Sequence, residues 1–589
     1  MRRFTALFGE LDASGGTSAR VEALAAYFAA ADPADAAWAL HLLLGKQRRR
    51  LITGRRLRQI ALEGSALPEW LFDDCYAQVG DTAETIALLW RQLEPEASQE
   101  AADGSRPEPL LEQPLHRWMA ELLPAAAALE GEAQAQAVRR LWRGLEPGAL
   151  LVANKLLTGG FRVGVAQGLV LRALSQVSGL EASLLAHRLM GGLPLAGPGQ
   201  GGAHPAAVAW QTLLAPAGGA DGPISRPYPF CLASPLEPPG DPADPPLPGP
   251  AGAWLAEWKW DGIRGQLIRR GGESFLWSRG EELINAAFPE LIAAAAALPD
   301  GTVLDGEVLV WPEAAERPAP FAQLQRRLGR RAPGRALLAE CPAVFVAYDL
   351  LERDGEDWRP RPLEPRRAAL ECLLQELPEA AATPGAGLLR LSPRLPLPAW
   401  EGLEHLRQQA RSAGAEGLML KAATSPYGVG RRRGDWWKHK LEPLRLDAVL
   451  VYAQAGSGRR ANLFTDYTFA LWSEPPQPEA PTPALVTFAK AYSGLGDAEI
   501  AELDRWIRSH TIERFGPVRA VEPLQVFELA FEGLQPSRRH RSGIAVRFPR
   551  IARWRRDKPA HEADTLTSAL ALLQSADAAE ASGGGAPAC

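Results

Sequence analysis

Residues 254–264 read WLAEWKWDGIR. In an extended strand successive side chains alternate, so Leu255, Glu257, Lys259 and Asp261 share one face, and Trp254, Ala256, Trp258 and Trp260 the other. The tryptophans make the packed face. Lys259 is then held on a rigid element beside two carboxylates, with Arg264 following Gly262. The same pattern suits an ordinary strand lysine paired with acids, so the choice between structure and chemistry rests on what surrounds it.

Further along, SRGEE at 278–282 ends a strand with Arg279, and LDGEV at 304–308 places Glu307 after a turn-capable Asp-Gly pair. EGLML puts Glu416 at the start of a strand that ends at Lys421. WWKHK sets Lys438 and Lys440 on one face, two residues apart. The far end adds Arg555, Asp557 and Lys558 in RFPRIARWRRDK.

KWDGIR, SRG, DGE, EGLMLK, WKHK and RFPRIARWRRDK, in that order over the middle and C-terminal regions, resemble the motifs of the ATP-dependent DNA ligases of the covalent nucleotidyltransferase superfamily. The all-helical N-terminal third is similar to the DNA-binding domain of larger members, with NKLLTGGFRVGVAQGLVLRAL its most suggestive stretch, and the build is similar to bacterial auxiliary repair ligases. The resemblance implies sealing of nicks in duplex DNA: an enzyme-adenylate, transfer of AMP to a 5′-phosphate, and attack by a 3′-hydroxyl.

It makes Lys259 the nucleophile. An ordinary lysine titrates near ~10.4, so the attacking amine must shed its proton; nearby Arg264, Lys438, Lys440 and a metal ion would assist. Arginine cannot replace it, since a guanidinium stays protonated. By resemblance Glu257 contacts adenine, Arg264 and Arg279 the ribose and phosphate side, Tyr348 stacks on the base, and Lys438 and Lys440 hold the α-phosphate, with Lys421 a neighbour. Arg432 joins the nucleotide set. Arg555 and Lys558 orient the leaving pyrophosphate, which implies a rotation about residues 441–445. Glu416 and Glu307 would hold Mg2+, with Mn2+ a possible substitute. An RNA ligase, an mRNA-capping guanylyltransferase and a non-catalytic DNA-binding scaffold share parts of this pattern; labelled ATP and GTP separate the two enzymes.

Around this centre the chain divides by composition. From about residue 17 to about 195 apolar residues recur three and four apart, as in TAETIALLWRQL, and residues 1–215 are expected to form a helical DNA-binding domain. Gly and Pro dominate 197–250, so 216–250 reads as a linker and the start of the next region. The expectation for 251–442 is an α+β adenylation domain with antiparallel sheets, for 443–570 an OB-fold β-barrel, and for 571–589 a disordered tail.

The 589 residues carry a net charge of −5, which excludes a uniformly basic coat protein but not local basic surfaces. Residues 46–58, KQRRRLITGRRLR, hold seven basic and no acidic side chains, and Lys46, Arg48, Arg49, Arg50, Arg55 and Arg56 are the expected DNA contacts. Only eight of the 64 basic residues are lysine, the other 56 being arginine, and five of the eight fall in the motifs above. Five scattered cysteines support neither disulfides nor zinc. With no signal-peptide core or long apolar run, a monomeric cytoplasmic, nucleoid-associated protein is expected, with no membrane partner and with DNA repair proteins as possible partners.

Overall fold

The computed structural model describes all residues except 15, 48–49, 64, 66–67, 94–109, 144, 196–203, 217–223, 238–240, 242–243, 329–332, 378–385, 457–461, 478–482 and 582–589. Two compact units emerge: Met1–Ala173 with Pro194–Trp210 and Pro443–Cys589, and Leu174–Leu193 with Gln211–Glu442.

The first unit begins helical. Its helices start at Arg2–Ala13, earlier than the periodicity suggests, because Phe4, Leu7 and Leu11 form a buried stripe. Helix Pro33–Leu43 is capped by Asp32, whose carboxylate accepts the Ala34 amide at 2.9 Å, and helix Gly54–Leu62 by the Thr53 hydroxyl. Trp90 meets Trp142 edge-on at 4.7 Å, and the Trp142 indole donates to the Asn154 side-chain oxygen at 2.7 Å, so this buried N–H is satisfied. Part of the Gly/Pro-rich stretch also folds: Pro205–Leu214 is a helix whose Trp210 stacks on Phe28. The flanking glycines and prolines mask this short apolar helix in a composition average.

The second unit holds two larger sheets, antiparallel but for short parallel strands at Ser234–Pro235 and Leu389–Leu391, where the expectation was of antiparallel sheets alone. Strands β1 (Trp254–Trp260), β2 (Ile263–Arg270), β3 (Glu273–Ser278), β4 (Thr302–Val310), β5 (Ala343–Arg353), β6 (Ala415–Ala422) and β7 (Trp436–Lys440) supply most of both. One runs β3-β2-β4-β5, extended by Glu356–Asp357 and Leu389–Leu391; the other runs Ser234–Pro235, β7, β6, β1. Helices Pro289–Ala295, Phe321–Leu328 and Leu363–Gln375 bury Phe288, Leu291, Leu324 and Leu370 against Leu267, Leu304 and Phe345 of the first sheet. As the alternation predicts, Trp254, Ala256 and Trp258 pack with Leu418, Leu420 and Trp437 on one face of the second sheet.

The C-terminal part of the first unit is strand-rich. It contains β8 (Leu444–Ala455), β9 (Phe464–Trp472), β10 (Leu485–Ala491), β11 (Thr511–Phe515), β12 (Val518–Val521), β13 (Val526–Phe531), β14 (Gly533–Pro536), β15 (Ile544–Arg547) and β16 (Arg550–Trp554). The seven-stranded sheet runs β10-β9-β8-β12-β11, and the long β8 also pairs β13 along its first half, with β16 beyond. The Ile551 amide donates to the Ser493 carbonyl at 2.9 Å just after β10, bringing the two sides together around Phe469, Phe527 and Leu529. Of the expected disordered tail, 582–589 lie outside the described residues and 571–581 belong to the helix Leu566–Ala581, which has Ala569 and Leu573 in that core. Its alanine- and leucine-rich sequence favours helix once two side chains can be buried.

Candidate active site

The remaining face of the β7-β6-β1 sheet carries chemistry. Strand parity puts Glu257 and Lys259 of β1, Lys421 of β6, and Trp436, Lys438 and Lys440 of β7 on it, with Met419 paired to both Glu257 and Lys438. Glu416 joins them through a bulge. Between Ala415 and Leu418 the β6-β1 register slips, three steps on β6 matching two on β1. Gly417 makes this possible: its φ is +143°, and a Cβ there would lie 2.2 Å from the His439 carbonyl oxygen.

Lys259 Nζ donates to Glu416 Oε2 at 2.5 Å, and Lys440 Nζ lies 3.4 Å from the same oxygen. Burial would raise the Glu416 carboxyl, but Lys259, Lys440 and a hydrogen bond with Asp261 outweigh it and hold it below its ordinary value. Lys438 is depressed by burial and then by the charges of Lys440, Arg431, Lys259 and Arg279, a measure of how much positive potential converges here.

The carboxylate paired with Lys259 is therefore Glu416, not the neighbours Glu257 and Asp261 that lie closest in sequence. Glu257 turns into the protein. It is buried, accepting from Arg367 Nη1 at 2.7 Å and Lys421 Nζ at 2.5 Å. Lys421 lies in turn 4.1 Å from the Tyr348 ring centroid and 4.4 Å from that of Trp436.

The first sheet supplies the opposite lining. Arg264 binds Asp305 through Nε at 3.2 Å and Nη2 at 2.6 Å, donates to the Cys231 carbonyl at 2.6 Å, and lies over Phe230, Tyr348 and Trp436. Tyr427 and Tyr348 both donate to Asp305, at 2.7 and 3.3 Å, and burial raises both phenols well above their ordinary range. The Arg279 amide donates to the Arg264 carbonyl at 2.9 Å, tying the two arginines together.

The Asp-Gly pair of LDGEV makes no turn. It lies inside β4, where Gly306 opposite Gly265 leaves room for Phe345, whose ring carbons a Cβ would approach to 2.6 Å. Asp305 and Glu307 thus share a strand face two residues apart. Burial pushes the Glu307 carboxyl up to about 8, against the lowering effect of Lys259 and Arg264. Asp305, Tyr427, Trp436 and Arg367 were not singled out from sequence; the strand parity of Asp305 with Glu307 was the available signal for the first.

Other expected residues lie elsewhere. Arg432 is exposed near the start of β7. Arg555 and Lys558 belong to the other unit, where both donate to Asp447 Oδ2 at 2.8 Å. Of the expected DNA contacts, Arg48 and Arg49 lie outside the described residues, Lys46 is half-buried, and Arg50 and Arg55 are exposed. Arg56 bonds Glu63 at 3.0 Å and Gln134 at 3.2 Å, so part of that basic run is engaged within the helices. No single helix among the described residues is long and apolar enough to cross a membrane.

A family model described as "ATP dependent DNA ligase domain" matches residues 249–440, and one described as "DNA ligase N terminus" matches residues 1–175. A probable DNA ligase of Opitutus terrae is 34% identical, over 98% of this chain and 62% of its own length. One of Anaeromyxobacter sp. (strain Fw109-5) is 32% identical, over 78% of this chain and 85% of its own. The chain spans 62%, 56% and 58% of the lengths of three curated relatives, those of Opitutus terrae, Koribacter versatilis and Sorangium cellulosum. A solved structure named "Pmar-Lig_Pre." shares the fold, with a TM-score of 0.56 over 94% of this chain and 99% of that one at 14% identity. With five of the six motifs gathered in the second unit and a relative of 32% identity matched over 85% of its own length, the chain belongs to the ATP-dependent DNA ligase family.

Proposed function

We propose that this chain seals nicks in duplex DNA at the expense of ATP, through a lysyl-AMP formed on Lys259. The observation that carries the reading is Lys259 at the open end of β1, held at 2.5 Å by Glu416 amid Lys438, Lys440 and Arg279. A nucleophile needs a fixed direction and a place for its proton, and the developing charge on phosphate needs fixed cations. In the first step the Lys259 amine bonds the α-phosphorus of ATP while the bond to pyrophosphate breaks; the proton leaves Nζ, and Glu416 is the acceptor within reach. The AMP then passes to a 5′-phosphate, releasing the lysine, and the 3′-hydroxyl displaces AMP.

Arg264, fixed by Asp305, would present its remaining surface to the ribose or phosphates, and Tyr348, with Lys421 over its ring, would give a flat side to the base. Glu257 would act in nucleotide recognition from its pairing with Arg367 and Lys421. Lys438 and Lys440 would take the α-phosphate, with Arg432 nearby. Glu307 and Glu416 suit Mg2+: both are hard oxygen donors, and the half-buried Glu307 carboxyl, raised to about 8, is one whose charge a divalent cation would stabilise. When bound, that ion supplies charge neutralisation at the phosphates. The strand-rich C-terminal part has the build of an OB-fold, and from it Arg555 and Lys558 would meet the leaving pyrophosphate once released from Asp447. Lys46, Arg50, Arg55 and Arg56 remain the proposed DNA contacts of the helical part.

Incubation with labelled ATP tests the reading. The wild-type chain should form a covalent AMP adduct, stable to denaturation, and Lys259→Ala none while still binding nicked DNA; an adduct of normal yield on the variant would overturn the assignment.

A further inference from the structure

The β14–β15 hairpin ends in residues 537–543, SRRHRSG, with three arginines, one histidine and no acid in seven residues. Arg538, Arg539, His540 and Arg541 are all exposed. None of the three arginines pairs with a carboxylate among the described residues, unlike most of the arginines around them. Arg445 and Arg553 share Glu528, Arg555 holds Asp447, Arg556 holds Glu502 at 2.7 Å and Arg508 holds Asp504 at 2.7 Å.

The loop is also built to stay in shape. Ile544 is fully buried in the core, with Leu534 and Val546 packed against it, so the root of the hairpin is anchored. At the tip the Ser537 amide donates to the Gly543 carbonyl at 2.7 Å, the Gly543 amide to His540 at 2.9 Å and the Arg539 amide to the Ser537 hydroxyl at 3.3 Å. The buried Ser542 hydroxyl donates to the Ile544 carbonyl at 3.1 Å.

Guanidinium groups roughly 7 Å apart in water repel by about 0.6 kcal/mol per pair, and a fixed backbone limits their escape. A solvated surface would mix signs; a polyanion would offset the repulsion. The tip offers no apolar side chain, so it lacks the hydrophobic centre of a protein interface, while three guanidinium forks match phosphate oxygens.

We propose that this hairpin tip is a grip on the duplex DNA backbone, with Arg538, Arg539 and Arg541 as phosphate contacts. The proposal rests on the reading of the chain as a DNA-acting enzyme and adds a site outside the basic runs considered above. Its role is positioning and affinity, with no base readout.

The test compares the full-length chain with a triple variant, Arg538→Gln, Arg539→Gln and Arg541→Gln, on a fluorescent nicked duplex from about 50 to 300 mM KCl. Each lost phosphate contact flattens the plot of log K against log salt by about 0.9, so a slope shallower by about 2–3 is expected, with affinity at least tenfold weaker at low salt. AMP-adduct formation, which reads the folded state of the nucleotide site, should be unchanged. A triple lysine variant at the same positions should keep the slope. Wild-type slope and affinity in the glutamine variant would overturn the proposal; so would an unchanged slope accompanied by lost binding to polyglutamate, which would make the tip a protein-facing patch. A wild-type chain that forms no adduct would sink the enzyme reading and leave the slope comparison intact.

Discussion

Two carboxylates on one face of one sheet have opposite fates. Glu257 is sealed under the sheet between Arg367 and Lys421, with side-chain exposures of 2%, 0% and 1%. Glu416, across the β1–β6 pairing, meets Lys259 at the mouth, where both side chains are 22% exposed. The first arrangement fixes the framework, since a buried charge with one partner removed has nowhere to find another. The second can exchange partners, as the proposed nucleophile would have to. Burial, more than distance, separates Lys421 from Lys259, the proposed nucleophile.

Four measurements would break or sharpen that contrast. Arg367→Met leaves Glu257 half-compensated in the interior and should lower unfolding free energy by about 3–5 kcal/mol in denaturant titrations; a loss under about 1 kcal/mol would mean that the buried triad is not structural. Gly417→Ala drives a methyl into the His439 carbonyl at a φ of +143°. It should cost about 2–3 kcal/mol and, by undoing the bulge that presents Glu416, slow adduct formation by more than the stability loss explains.

The third concerns pH. With its folded value raised from 4.5 to about 8, Glu307 keeps a proton in the folded chain that the unfolded chain releases. Its contribution is present at low pH and is lost as pH rises from about 4.5 to 8. Glu307→Gln should flatten that part of the melting temperature profile measured without divalent ions; an identical slope would refute the buried-carboxyl account. The smallest stability effect belongs to Lys259→Met, which removes one partner of a half-exposed pair and should change stability by less than about 1 kcal/mol while abolishing the adduct.

Much of this was legible in the chain. WLAEWKWDGIR gave the alternation of β1 correctly, and WWKHK the shared face of Lys438 and Lys440, because side-chain parity in a regular strand follows from the backbone alone. Glu416 as the partner of Lys259 was not legible: a bulge changes parity, and its one sequence sign, Gly417, is ambiguous without the neighbouring strand. For the same reason Asp305–Gly306 reads as a turn in isolation and proves to be mid-strand, with glycine required by Phe345. Arg367 escaped notice because it lies 108 positions beyond Lys259 on a helix with unremarkable periodicity, and its importance comes from tertiary placement of a charge. Helix Pro205–Leu214 and the C-terminal helix to Ala581 were hidden by composition, which averages a short buried segment with its surroundings.

The meeting of β16 with the chain after β10 leaves the C-terminal sheet lopsided. One side is occupied by the molecule's own backbone; on the other, β11 pairs only β12 among the described strands and exposes Ile512 at 65% and Phe515 at 51%. In concentrated solution this is where a second chain could add a strand, so the colloidal behaviour of the protein should depend on the five residues of β11. Glu513 and Arg514, set between the two apolar side chains, are the gatekeepers on that edge.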